Sequence, residues 1–265
     1  MTTEAAIGQE VVDYRIDDGI GIITLNRPDA LNAWTFEMGQ QYLGRLDDAA
    51  ADPDVKVVIV TGAGRGFCAG ADMGMLKRLT AGEHPPADGV REDFATEPAV
   101  PKPVIAAING PCVGLGLARA LYCDLRFLSR GTSLSTAFAR RGLPAEDGLA
   151  WLLPRIVGWA RGLDLLLSAR TVSDEEALAL GLVNQVVDDA LDAAVAYARE
   201  MVRYCSPASL REIKQQIWGG ESWTLPEANS RADELLMAAF TRPDLAESVA
   251  AFLEKRDPHF PPLTG

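Results

Sequence analysis

Histidine is nearly missing from this chain: His84 and His259 are the only two in 265 residues. Cysteine is scarce as well. The four cysteines, Cys68, Cys112, Cys123 and Cys205, form no C-x-x-C pair and no regular framework. Neither a metal site nor a disulfide scaffold is therefore expected, and reduced thiols are the simplest reading. Positive charge is in deficit, with 25 Lys and Arg against 37 Asp and Glu and a net charge of −12. That balance argues against nucleic acid or an anionic membrane as a partner, so an anionic ligand has to be met locally by arginine, lysine or backbone N–H groups. Long apolar runs are absent too, the longest being cut by Asn109, Pro111 and Arg119. Met1 to Glu10 carries acids and no apolar centre, so it does not read as a secretory signal, and a soluble cytoplasmic protein is expected.

Several motifs are lacking. The glycine-rich stretch Gly62 to Asp72, GAGRGFCAGAD, is not closed by Gly-Lys-Ser or Gly-Lys-Thr and so is no P-loop; Gly114 and Gly116 lack the third glycine of a dinucleotide fingerprint. No G-x-S-x-G elbow occurs and neither histidine neighbours a nucleophile in sequence, which argues against a serine hydrolase.

What is present is enough apolar content, 48%, to bury a large core. Val11 to Ile16 and Ile20 to Leu25 read as strands joined by Asp17-Asp18-Gly19, an antiparallel hairpin signal. Thr35 to Asp52 has helical spacing, Val57 to Val60 returns to strand, and Val104 to Ile108, a helix at Leu115 and Leu125 to Leu128 repeat the alternation. The class expected is layered α/β. Leu79 to Pro101 keeps no period and reads as a loop, either a lid or a plain surface excursion. Arg161 to Ser168 and a helix capped by Ser173 follow, then a short strand at Val183 to Val187. Leu191 to Tyr204, Ser209 to Trp218, Leu225 to Phe240 and Leu245 to Lys255 are helices with no strand between them. We divide the chain accordingly into a core of residues 1–190 and a helical region of residues 191–265, whose apolar faces need the core or another subunit to cover them.

The stretch from Pro101 to Asp124 passes from strand to glycine-rich turn to helix. A helix starting at Leu115 leaves its first N–H groups unpaired, and glycine permits close approach of a ligand, although plain strand-to-helix packing would use the same residues. If the N–H groups of Ala71 and Leu115 converge, they form a two-donor oxyanion hole, suited to a thioester whose carbonyl oxygen gains charge. Cys112 beside this floor could be a nucleophile or a small buried thiol.

With LNRPDALNAW at Leu25 to Trp34, GFCAGAD at Gly66 to Asp72, KPVIAAINGPCVGLGLARALYCD at Lys102 to Asp124 and ALGLVNQVV at Ala179 to Val187, the chain resembles the crotonase, or enoyl-CoA hydratase/isomerase, superfamily over nearly its full length. The resemblance implies a spiral of repeated ββα units, a C-terminal helical trimerisation region, and a homotrimer or hexamer. It implies an acyl-CoA thioester as substrate, with coenzyme A part of that substrate and no separate cofactor or metal. Ala71 and Leu115 take the family's oxyanion-hole positions. Arg65, Ala69, Asp72, Phe252 and Lys255 fall on the CoA side, the last two reaching the nucleotide end from a neighbouring subunit. From the residues alone Arg65 reads as solvated charge, Asp72 as the holder of its own turn, Phe252 as helix core and Lys255 as a helix C-terminal cation.

Two departures matter more. The glutamates that activate water in enoyl-CoA hydratases are replaced by Ala118 and Phe138. Glu146, followed by Asp147, stands where related isomerases and an aryl-CoA dehalogenase carry a catalytic aspartate. A carboxylate in an apolar pocket can shuttle a proton between carbons of a thioester, which makes double-bond isomerisation the leading expectation. Hydration through Glu146, or a non-catalytic acyl-CoA-binding protein, are the alternatives; Glu146 also reads simply as an acid favoured at a helix N-terminus.

Overall fold

In the computed structural model the described residues are 10–83 and 96–263. Much of the segment expected as a loop, residues 84–95, lies outside them. The chain opens with the hairpin β1 (Val12–Asp17) and β2 (Ile20–Leu25), paired antiparallel through Asp18 and Gly19, both at positive φ as a tight two-residue turn requires. Helix α1 (Phe36–Ala51) starts where the Thr35 side chain accepts the Met38 N–H, and β3 (Val57–Gly62) follows. Then come α2 (Met73–Thr80), the short α3 (Thr96–Ala99), β4 (Val104–Ile108), β5 (Cys112–Val113), α4 (Leu115–Tyr122), β6 (Leu125–Ser129) and β7 (Leu134–Ser135). The chain continues through α5 (Leu149–Val157), α6 (Trp159–Ser168), α7 (Asp174–Ala179) and β8 (Gln185–Val187) to α8 (Ala190–Tyr204), α9 (Pro207–Gly220), α10 (Leu225–Ala239) and α11 (Pro243–Glu254).

The main sheet has the order β1-β2-β3-β4-β6-β8, parallel throughout except for the β1–β2 pair, while β5 and β7 form a small parallel sheet of their own. The fold is α/β, strands alternating with returning helices as the resemblance implies. The β5–β7 pair was not anticipated because two-residue strands carry no readable alternation.

Strand alternation divides the core between the two faces of the sheet. Ile23, Leu25, Val58, Val60, Ala106 and Ile108 point into the larger cluster with α1, α4 and α5. Their neighbours Ile20, Ile22, Val57, Ile59, Ile105 and Ala107 point the other way. That second face is covered by α8 through Ala190, Ala194 and Ala198, whose spacing puts three small side chains on one helix stripe and lets the helix lie close. Strands thus end near residue 190, yet the helix that follows packs on the sheet. Next, α9 is anchored by Lys214, buried and paired with Asp124 at 2.8 Å, and by Trp218 Nε1, which donates to Asp124 Oδ1 at 3.1 Å. Beyond it α10 buries none of its residues, and α11 buries only Ala251.

Candidate active site

The floor of the site is made of main chain. The N–H of Trp34 donates to Gly70 C=O at 2.7 Å and that of Asp72 donates to Trp34 C=O at 2.9 Å. In such a parallel bridge the residue between the two bonds, Ala71, turns its own N–H to the opposite side. A second bridge locks the neighbouring chain: Cys68 N–H donates to Pro111 C=O and Val113 N–H to Cys68 C=O. Leu115 opens α4, so its N–H has no intrahelical acceptor. Among the described residues neither the Ala71 nor the Leu115 N–H has a hydrogen-bond partner.

Two glycines let these loops meet. Gly70 sits at φ +93° with an added Cβ 3.0 Å from Val113 O, and a Cβ on Gly116 would come within 2.5 Å of Cys68 O and 2.9 Å of its Sγ. Larger residues would push the start of α4 away from the Cys68–Ala71 segment. Buried Asn32 secures the outer loop: its Nδ2 donates to Ala63 O and Gly66 O, and its Oδ1 accepts the Arg27 N–H at 2.8 Å.

Ala71 and Leu115 both line a cavity of about 240 Å³ whose other walls include Ala30, Ala33, Ala69, Met73, Phe138 and Leu143. Its charged lining residues are Arg141 and Glu146. Phe138 opens a 3-10 turn, Phe138–Arg141, and lines the cavity; Ala118 is fully buried within α4 and lies outside the lining. Burial, and secondarily the neighbouring Asp147 carboxylate, push the Glu146 carboxyl above the ordinary range.

Glu146 and Asp147, adjacent in sequence, diverge. Asp147 sits at φ +50°, and its carboxylate turns inward to Arg119 Nη2 at 2.6 Å, away from the cavity lining. Asp72 is also committed: Oδ1 accepts the N–H groups of Gly74 and Met75 as the cap of α2, and Oδ2 pairs with Arg27 at 3.0 Å. Burial acts against it, but the Met75 N–H, Arg27 and the Gly74 N–H hold its carboxyl below the usual value. Ala69 lines the cavity; Arg65 is exposed beside the floor loop and does not. Phe252, 83% exposed on α11, and Lys255, the left-handed residue ending that helix, lie outside the cavity of their own chain. Burial pushes the Cys112 thiol well up, which disfavours the thiolate a nucleophile needs.

Sequence reasoning missed Ala30, Ala33, Met73, Leu143 and Arg141 as cavity walls, and it missed Arg119. The small apolar wall residues carry no chemical signal. Arg119 did: it is the single charge in a helix of otherwise apolar residues and glycine, where a charge requires a buried partner. Among the described residues no cluster of His, Cys, Asp or Glu could hold a metal ion, and no helix is long and apolar enough to cross a membrane.

A mostly parallel sheet with two unpartnered amides among the residues lining an apolar cavity suits a crotonase-type enzyme, and the chain belongs to the enoyl-CoA hydratase/isomerase family, whose sequence pattern matches residues 15–262. It is 34% identical over 260 residues to the 1,2-epoxyphenylacetyl-CoA isomerase of Escherichia coli, covering 95% of this chain and 98% of that protein. It is 36% identical over 259 residues to the probable enoyl-CoA hydratase EchA12 of Mycobacterium tuberculosis, covering 91% and 89%. The crystal structure of an enoyl-CoA hydratase from Mycobacterium tuberculosis superposes with a TM-score of 0.86 at 32% identity, covering 94% of this chain and 98% of that one.

Proposed function

We propose that the protein isomerises an enoyl-CoA thioester, moving a double bond by proton transfer through Glu146. The observation that carries this reading is the cavity itself: among the described residues Glu146 is its one carboxylate, it shares the lining with two residues whose amides have no partners, and the remaining walls are apolar apart from Arg141. In this mechanism the thioester carbonyl oxygen accepts hydrogen bonds from the Ala71 and Leu115 N–H groups. Glu146 removes a proton from one carbon, the electron pair delocalises onto that oxygen, and the same carboxyl returns the proton to another carbon of the conjugated system. Charge develops on the oxygen only as the proton leaves, so fixed donors aimed at it lower the barrier selectively. Raising the Glu146 pKa brings it nearer that of the enolate it must reprotonate. The similarity to a 1,2-epoxyphenylacetyl-CoA isomerase supports this reading, as do Ala118 and Phe138 in place of the carboxylates that would hold a water.

Coenzyme A enters as part of the substrate in this reading. Arg65 meets its phosphates at the mouth, and Phe252 and Lys255 serve the nucleotide end of the site in a neighbouring subunit of a trimer or hexamer. Incubating a panel of enoyl-CoA thioesters and following product mass and ultraviolet absorbance tests the assignment. An isomer of unchanged mass with altered absorbance is expected; a product heavier by one water would replace the reading with hydration through Glu146.

A further inference from the structure

Leu115, Arg119 and Tyr122 stand at i, i+4 and i+7 on α4 and so share one helix face. The first presents the amide that opens the helix. The other two grip the residue after Glu146: Arg119 Nη2 pairs with Asp147 Oδ2 at 2.6 Å, and Tyr122 Oη donates to Asp147 C=O at 2.6 Å. Arg119 is itself fixed from behind. Its Nη1 lies 3.4 Å from Oε2 of Glu97, a fully buried carboxylate whose Oε1 accepts the Tyr42 hydroxyl at 2.9 Å. The Tyr122 ring lies 5.6 Å from the guanidinium and is stacked on Trp218.

We propose that Arg119, Asp147 and Tyr122 form a positioning strut that fixes the Glu146 carboxylate relative to the Leu115 amide, both being referred to one rigid helix. The inference rests on the reading of Glu146 as the proton carrier. Stability alone does not account for the strut, because an arginine buried with two acids gains little over well-packed apolar residues of similar volume. Its geometry does have a use. Asp147 adopts positive φ, at 50°, a conformation most L-residues avoid, and glycine supplies the next positive φ at Gly148; the contacts of Arg119 and Tyr122 with Asp147 anchor the turn bearing Glu146 in that shape. Among the described residues the charged groups around Glu146 are Asp147 beside it, Arg141 in the same cavity lining, and Arg119 behind Asp147.

The test compares Asp147→Asn, Tyr122→Phe and Glu146→Gln with the unaltered enzyme on an enoyl-CoA that it isomerises. Asn tolerates positive φ, so Asp147→Asn keeps the turn while removing the charge pair. We expect kcat to fall about 10- to 100-fold with KM nearly unchanged, the signature of lost alignment in the transition state. The acid limb of kcat/KM should also move to lower pH, because a negative neighbour that raises the Glu146 pKa has gone. Tyr122→Phe, the milder change, should lower kcat less and leave the limb in place; it also decides the matter if Asp147→Asn fails to fold. Full kcat in both folded variants, with Glu146→Gln inactive, overturns the strut and leaves the isomerase reading standing. Full kcat in Glu146→Gln overturns both.

Discussion

The two sides of the cavity are built differently. On one side, the amides of Ala71 and Leu115 are held by backbone bridges and by glycines that admit a close approach, so the proposed donors are main chain. On the other side, Glu146 is a side chain on an irregular turn, held through a buried network drawn from Tyr42, Glu97, Arg119 and Tyr122. A backbone site tolerates a change of side chain and fails when the chain path shifts. A side-chain site fails when one functional group is removed, even if the path is untouched.

The largest effect should come from shifting the path. Gly116→Val places a branched side chain where even a Cβ meets Cys68 O at 2.5 Å, so the start of α4 must move and the Leu115 N–H with it. Losing one donor of an oxyanion hole costs about 10² to 10³ in kcat, and stopped-assay turnover of the folded variant should fall by at least that much. Retention of turnover would mean that the amide pair is not the floor of the reaction.

A smaller but diagnostic effect is expected in pH dependence. The base works as the carboxylate, so kcat/KM should rise with pH through the Glu146 pKa. Burial and then Asp147 raise that pKa, so the limb should lie above the roughly 4.3 of a free glutamate. A limb at the ordinary value would place the titrating group in water, outside the cavity.

The least effect belongs to Leu115→Ala. It removes a side chain from the wall and leaves the N–H proposed as a donor, so kcat should stay within roughly threefold while KM absorbs the lost apolar contact. Comparing it with Gly116→Val, one residue away, separates main-chain from side-chain control.

The same contrast explains what could be read from the sequence. The floor was legible because glycine spacing, a β-branched run and the N-terminus of a helix are local signals: GFCAGAD and GPCVGLGL name the two loops, and their convergence follows once β3 and β4 pair in parallel. The continuous β-rich runs Ile20 to Leu25 and Val57 to Val60 likewise made the strands readable, and both their faces are buried. The wall was legible only in Glu146 itself. That Asp147 would turn inward depends on Arg119, 28 residues earlier, and Arg119 in turn on Glu97. Such pairings have no period and no fixed spacing, so they emerge only when the fold brings α3, α4 and the 144–148 turn together. The alanines of the wall were illegible for another reason: Ala30 and Ala33 matter through the space they leave.

Glu146→Gln tests the central claim most directly, since it keeps the size of the side chain and one acceptor oxygen while removing the base. Turnover of an enoyl-CoA should fall about 10²-fold or more, with acyl-CoA affinity little changed. A carboxylate whose pKa is raised by folding favours its protonated form in the native state; its stabilising contribution is present at low pH and is lost as pH rises through the folded pKa. At neutral pH the glutamine variant should therefore melt no lower than the parent. Full turnover in a folded, ligand-binding Glu146→Gln variant would contradict the account.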